Sequence, residues 1–202
     1  MATNVRRTTI VEVLDMALEL ERKTMALYAG FVRLFANDPE IRQFWFNMAR
    51  TEAAHCGGLM LVESILRDDP ELSQEARIRF DMTTGVRLRS LLAAYRRELR
   101  RGISLERALE MAVDLEGSEL EDVVVDLLQV VRDPGWRDQA VKMLVHDMGD
   151  MSYMIERHTR NSKLLARADA LVEKRIARPK AARGSAPGGP KTRAKKKRRA
   201  TA

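Results

Sequence analysis

The chain has 202 residues, of which 45% are hydrophobic, and only 11 glycines and 6 prolines; this composition is typical of one mainly helical, all-α domain. Its net charge is +7, but the charge is unevenly distributed, because 12 of the 36 basic residues and none of the 29 acidic residues follow Glu173. Residues 1–173 therefore carry a net charge of −5, and their charge balance does not indicate nucleic-acid binding. The single cysteine, Cys56, excludes a disulfide framework and a four-cysteine iron site. No stretch is long and apolar enough to span a membrane, and no signal peptide is expected. We therefore predict a cytoplasmic protein.

Two capping signals predict an N-terminal helical hairpin. Thr9-Ile10-Val11-Glu12 is a capping box and predicts the start of a first helix, which should end near Asn37. Asp38-Pro39 then supplies an N-cap and a proline at the first helical position, which predicts a second helix up to about Arg67. Because the connection is so short, the two helices should pack antiparallel as a hairpin over residues 9–67.

This hairpin carries three candidate metal ligands. Glu21 lies among the apolar residues of the first helix that are predicted to face the core. On the second helix, Glu52-Ala53-Ala54-His55 places a carboxylate and an imidazole three residues apart on one face, close enough to bind one metal ion. The motif alone is common in helical proteins, so its meaning depends on further carboxylates from other helices.

A crossover and a third helix are predicted next. Residues 68–103 form the crossover, with a loop over 68–84 and an arginine-rich helix from Val86 to about Arg101 that Gly102 ends. Ser104 is the predicted N-cap of a third helix, from Leu105 to about Arg132. Gly117 is a weak point in this helix, because glycine costs about 1 kcal/mol relative to alanine.

Asp133-Pro134 repeats the signal of Asp38-Pro39 and predicts a fourth helix from Gly135 to about Arg160. This helix either continues or breaks into a fifth segment that reaches Ala177. Pro179 is predicted to end helical structure, so that a domain over 1–177 is followed by a disordered tail over 178–202.

The tail has a basic run, Lys195-Lys196-Lys197-Arg198-Arg199, in a segment without acids. Such a run attracts phosphates through counterion release, which predicts nonspecific binding to nucleic acid. The alternatives are a nuclear-import signal in a eukaryote, or adhesion to an acidic membrane or to the acidic body of the protein.

An offset of 95 residues reveals an internal repeat. The two Asp-Pro signals have this spacing, and the same offset aligns Met16–Glu21 with Met111–Glu116, Arg42 with Arg137 and Met48 with Met143. We therefore predict two homologous hairpins, 9–67 and 104–160, which together form a four-helix bundle.

Ferritin-like di-iron bundles place one glutamate on each of two helices and Glu-x-x-His on each of the other two, all pointing inward. Glu21 and Glu116 fill the two single positions, and Glu52 with His55 fills one pair. Carboxylate oxygens with imidazole nitrogen suit iron or manganese.

The fourth helix departs from this pattern. At the repeat offset Glu52 aligns with Asp147 and His55 with Asp150, which gives Asp-x-x-Asp. Either these aspartates ligate a modified site, or the site holds one ion or none. His146, four residues before Asp150, and Glu119, one turn beyond Glu116, are further candidate ligands.

Several of these features together resemble the rubrerythrin-type ferritin-like domain, over residues 10–67 and 104–160. They are Glu21 seven residues before Tyr28, Asp38-Pro39-Glu40-Ile41, Glu52-Ala53-Ala54-His55, and the run from Ser104 to Ala112 followed by Glu116. The resemblance implies iron ligation by Glu21, Glu52, His55 and Glu116, with Glu119 matching an extra glutamate of the family's third helix.

The family further implies di-iron chemistry with peroxide or dioxygen, and bundles of this kind often pair, so a homodimer is expected. The chain lacks the second Glu-x-x-His and the rubredoxin module that passes electrons to iron, so an external electron donor would be needed. Two functions follow: a peroxide-reducing or Fe(II)-oxidising protein of oxidative-stress defence, or a non-catalytic scaffold with a degenerate metal site that binds a polyanion through its tail.

Overall fold

The computed structural model describes residues 9–69, 71–72, 81–128, 130 and 148–182, and within these ranges the chain is helical and has no strand. The helices are α1 (Ile10–Leu34), α2 (Pro39–Asp68), α3 (Met82–Arg100), α4 (Leu105–Glu116), α5 (Glu119–Leu128), α6 (148–158) and α7 (Ser162–Ala182). The predicted all-α class is confirmed. Across the described ranges, no helix combines the length and the apolar character that crossing a bilayer requires.

Helices α1 and α2 pack against each other along their length. Thr9 and Glu12 form the predicted capping box, with backbone-to-side-chain hydrogen bonds of 2.9 and 3.2 Å. Asp38 Oδ1 accepts hydrogen bonds from the amides at the start of α2. Between the two helices the rings of Phe31 and Trp45 meet edge to face, with centroids 4.6 Å apart, an arrangement worth about 1 kcal/mol beyond the area it buries.

Helix α3 lies beside α1 and runs in the same direction. Arg89 Nε donates to Glu19 Oε1 at 2.8 Å, and ten residues further along α3 the side chain of Leu99 lies against Gly30. The helix begins at Met82, four residues before the predicted start at Val86, because the side chain of Asp81 caps it by accepting from the Thr83 amide at 2.9 Å. Gly102 follows α3 with a φ of 81°, a left-handed conformation that glycine adopts without strain.

The predicted continuous third helix is wrong. It is divided into α4 and α5 at Gly117 and Ser118. The Gly117 amide still bonds to Val113 O at 3.0 Å, but the Ser118 amide turns to Leu115 O and the Ser118 side chain accepts from the Leu120 amide at 3.3 Å. Glycine therefore does more than weaken the helix: together with the serine, it ends one helix and starts the next.

Helix α6 buries Met148, Met151, Met154 and Ile155 in the core. The chain then breaks, and Asn161 caps α7 by accepting from the Leu164 amide at 3.0 Å. Of the two predicted alternatives for this region, the structure has the break.

Helix α7 lies along α4 and α5. Arg167 pairs with Asp114, Leu171 packs against Gly117, and Lys174 lies 3.4 Å from Asp122. The helix continues past Pro179 to Ala182, so the predicted end at Pro179 is wrong; a proline close to a helix end costs one backbone hydrogen bond rather than the helix. Most of the predicted fourth helix before Met148 and the tail beyond Ala182 lie outside the described residues.

Candidate metal centre

Three predicted ligands from the first hairpin meet in the core. Glu21 comes from α1, and Glu52 and His55 come from one face of α2. His55 Nδ1 lies 3.5 Å from Glu21 Oε2 and 3.4 Å from Glu52 Oε2. The three-residue spacing therefore places Glu52 and His55 on one face of α2, as the sequence predicts. The packing of α1 on α2 brings Glu21 to the same place.

Glu121 on α5 joins this group. Glu21, Glu52, His55 and Glu121 each offer one oxygen or nitrogen atom, and these four atoms all lie within 4.8 Å of one another. The four side chains are 0, 1, 5 and 3% exposed. A buried set of three carboxylates and one imidazole, drawn from three helices, could hold a metal ion, and its mostly oxygen ligands favour a hard or borderline cation.

The hydrogen bonding of this group is incomplete. Within the described part of the chain, both carboxylate oxygens of Glu21, Oε2 of Glu52 and both ring nitrogens of His55 are buried without a hydrogen-bond partner. The contacts of 3.4 and 3.5 Å are too long or too poorly directed to satisfy them. Buried polar atoms are almost always paired, because leaving one unpaired costs about 1–3 kcal/mol. These atoms therefore fit a cation that would bond to them together.

The pKa values reflect the same crowding. Burial raises the pKa of Glu52 well above its usual value, and the neighbouring charge of Glu21 raises it further. For His55, burial acts in the opposite direction, but the surrounding carboxylates outweigh it and raise its pKa well above the usual range. Positive charge is thus favoured at the centre of the group and additional negative charge is not, which is the electrostatic requirement of a cation site.

Glu116 lies beside this group and has a different partner. Its Oε1 accepts a hydrogen bond of 2.9 Å from the hydroxyl of Tyr28, which is fully buried. Burial raises the pKa of Tyr28 well above its usual value, and the charges of Glu116, Glu52 and Glu121 raise it further. Tyr28 therefore remains a neutral donor that fixes the Glu116 carboxylate next to the cluster.

The other predicted ligands are placed as follows. Glu119 opens α5, but its side chain is outside what the structure describes, and His146 and Asp147 also lie outside the described residues. Asp150 is half-buried on α6. The described residues thus bring together Glu21, Glu52 and His55 from the predicted set, with Glu116 adjacent.

Sequence reasoning missed Glu121. On a continuous helix, Glu121 would point about 140° away from Glu116, since each residue turns the helix by about 100°. The break at Gly117 and Ser118 changes this relation and allows both glutamates to be buried. A signal was present, because Ser118-Glu119-Leu120-Glu121 has the Ser-x-x-Glu pattern of a helix start directly after a glycine.

Cys56 follows His55 and is buried. Burial and the charges of Glu21 and Glu52 raise the pKa of its thiol to about 11. A thiol that stays protonated at neutral pH is a poor nucleophile and a poor metal ligand. It serves as a small packed side chain at the edge of the cluster.

Comparison of the chain with protein-family models, with curated proteins and with solved structures found no match. The candidate site is therefore interpreted from its own geometry and from the motif resemblance described above.

Proposed function

We propose that the chain is a rubrerythrin-like, ferritin-fold protein that binds iron, or alternatively manganese, at Glu21, Glu52, His55 and Glu121 and handles peroxide or Fe(II) in oxidative-stress defence. The observation that carries the proposal is the set of five buried polar atoms on Glu21, Glu52 and His55 that make no hydrogen bond within the described part of the chain. The helix directions support it: α1 and α2 are antiparallel, and α3 returns along α1 as a crossover helix would.

The residues of the chain have distinct parts in this proposal. Glu21, Glu52, His55 and Glu121 would hold one ion, since their ligand atoms already converge. Glu116, oriented by Tyr28, and the aspartates Asp147 and Asp150 would serve a second ion, as the repeat predicts. The burial of the cluster would exclude bulk water and prevent the site from exchanging its ligands for solvent.

Bound iron would supply the one-electron changes that both reactions require. Reduction of one hydrogen peroxide to two waters consumes two electrons and two protons, and two ferrous ions held by these residues would supply the electrons. Since the single cysteine cannot form a rubredoxin-type iron site within these 202 residues, a turnover cycle would draw its electrons from another reductant.

The alternative is a bundle with a degenerate site whose role is polyanion binding through the tail. Metal content separates the two functions. The purified chain is loaded with Fe(II) under anaerobic conditions, desalted and analysed by mass spectrometry for bound iron and manganese. We expect up to about two ions per chain, the number that a di-iron bundle holds.

Glu52→Ala and Glu121→Ala should each lower the affinity of the site by at least about tenfold. Glu156→Ala, which removes an exposed glutamate from α6, is the matched control and should retain the wild-type metal content. Peroxide consumption with a chemical reductant should follow the metal content across the four proteins. A wild-type chain that holds no metal after desalting would exclude the proposed function and leave the scaffold alternative.

A further inference from the structure

The fold collects arginines at one end of the molecule. Arg96, Arg97, Arg100 and Arg101 follow one another at the C-terminal end of α3. Because α3 runs parallel to α1 and Leu99 packs against Gly30, the last turn of α1 brings Arg33 to the same end. All five side chains are exposed. Arg33 is separated from the others by more than 60 residues of sequence, so the folded chain alone reveals this cluster, which we call the arginine end.

The described residues around the arginine end offset little of its charge; the carboxylate of Glu98 acts on Arg101 without forming an ion pair with it. Within the described ranges, none of its five guanidinium groups forms an ion pair, whereas the nearby carboxylates are already engaged. Glu98 accepts two hydrogen bonds from Arg107, at 3.0 and 3.2 Å, and Asp38 caps α2. Since residues 1–173 carry a net charge of −5, a cluster of five unpaired positive charges is opposite in sign to the domain that bears it.

We propose that the arginine end binds the phosphate backbone of double-stranded nucleic acid. Guanidinium groups match phosphate oxygens in shape and charge, and they are more weakly hydrated than lysine ammonium groups. From Arg96 to Arg101 the helix rises by roughly 7.5 Å. A duplex presents one phosphate charge per about 1.7 Å of its axis, or about four over that distance. The spacing of the positive charges therefore suits the density of the backbone charges.

The rest of the outer face of α3 favours a duplex over other polyanions. Ser90 and Ala93 are exposed on the same face as Arg97, and their small side chains allow the helix to approach a groove closely. Single strands are bound by stacking on exposed aromatic rings, and none of the exposed large hydrophobic residues of α3 is aromatic. Among the described large hydrophobic residues near Arg33, Leu34 alone is exposed, at 39%, which is too little for insertion into a lipid bilayer.

This inference depends neither on the metal site nor on the basic tail, because the arginine end is part of the folded helices. It is tested with the full chain and a fluorescein-labelled duplex DNA of mixed sequence, by measuring fluorescence anisotropy over a range of salt concentrations. The test variant is Arg97→Gln with Arg100→Gln. The control is Arg22→Gln with Arg67→Gln, which removes the same charge from exposed positions on α1 and α2. Both pairs are also made in a chain whose tail residues Lys195 to Arg199 are replaced by glutamine.

Each lost phosphate contact lowers the slope of log K against log salt by about 0.9, so the test pair should lower it by about 1.8 in either tail background. The control pair should leave the slope unchanged within about 0.5. Equal slopes for the test and control pairs would overturn the proposal. It would equally be overturned if the test pair left DNA binding unchanged but abolished binding to vesicles of mixed phosphatidylcholine and phosphatidylserine. Circular dichroism of each variant confirms that the helices are intact.

Discussion

The burial of the Glu52 carboxylate is hard to explain without a cation. Burial and the charge of Glu21 raise its pKa, so the metal-free protein loses folding free energy as the pH rises above the unfolded-state pKa, because the unfolded chain releases this proton more readily than the folded protein does. We predict that Glu52→Gln stabilises the metal-free protein by about 1–3 kcal/mol at pH 7.5 while it abolishes tight metal binding. Urea unfolding in the presence of a chelator measures the first effect.

The pH dependence of this effect has a definite sign. A carboxyl group whose pKa is higher in the folded than in the unfolded state contributes no penalty below the unfolded value, and the penalty grows as the pH rises above it. The stabilisation by Glu52→Gln should therefore vanish near pH 4. Glu63→Gln removes a more exposed carboxylate from the same helix and is the control for the loss of one negative charge. If Glu52→Gln destabilised the metal-free protein at pH 7.5, the Glu52 carboxylate would stabilise the fold itself, and its burial would not indicate a metal ligand.

Local spacing was sufficient to predict three of the four clustered residues. Glu52 and His55 are three residues apart on one helix, and the short Asp38-Pro39 connection forces α1 to present Glu21 to α2. Glu121 depends instead on how far the chain rotates at Gly117 and Ser118, and on where α5 docks against α1 and α2. Helical periodicity contains no information about rotation at a break, so the repeat pointed to Glu116, which binds Tyr28.

At the scale of helices, the junction between α4 and α5 depends on close packing around Gly117. A Cβ atom at this position would lie 2.9 Å from the carbonyl oxygen of Val113 and 3.3 Å from the side chain of Leu171 on α7. The backbone oxygen has little freedom to move away. We predict that Gly117→Ala destabilises the protein by about 1–3 kcal/mol, because overpacking outweighs the better helix propensity of alanine.

Gly149→Ala is the matched control for this prediction. A Cβ atom at Gly149, which is exposed on α6, would meet no atom of the described residues within 4 Å. Alanine should therefore stabilise the helix there, by up to about 1 kcal/mol. Thermal unfolding of both variants decides the matter: a Gly117→Ala protein as stable as the wild type would mean that the junction has room to adjust and does not fix the position of Glu121.

Helix starts were predictable where side-chain caps follow simple rules. The capping box at Thr9 and the Asp38-Pro39 signal gave the first residues of α1 and α2. The sequence predicts the start of α3 four residues too late, because Asp81 followed by Met82 lacks the proline or Glu that makes such a signal specific. It predicts the end of α7 too early, since proline disfavours a helix interior more strongly than its last turn.

At the scale of the whole molecule, the outer face of α2 suits a second copy of the chain. Phe46, Met60 and Leu61 are 52, 49 and 49% exposed, and the positions between them on this face include Ala53 and Gly57. In an antiparallel pair of α2 helices centred between Ala53 and Ala54, each Phe46 lies opposite Leu61 of the other copy. Large apolar side chains then flank a centre that contains Ala53 and Gly57, and the exposed Arg50 on the same face lies opposite Gly57 of the other copy.

We therefore expect a homodimer that Phe46→Glu converts to monomers, because the new carboxylate would be buried against an apolar surface. Light scattering coupled to size-exclusion chromatography measures the mass of each form. Val86→Glu alters another apolar residue with 52% exposure, on α3, and should remain dimeric. A monomeric wild type, or a Phe46→Glu protein that still pairs, would contradict this assignment of the face.

The positions of the clustered residues along the chain also bear on the order of folding. Three of the four lie within one hairpin, and Glu121 is separated from His55 by the whole of α3 and α4. Bringing the more distant residue into place costs only slightly more closure entropy, because that cost rises with the logarithm of loop length. Contacts within the hairpin span fewer residues and form faster than the contact with Glu121, so the hairpin could assemble part of the proposed ligand set first and the arrival of Glu121 would complete it. An ion captured at the first stage would then act as a template that selects the native docking of α5 over competing arrangements.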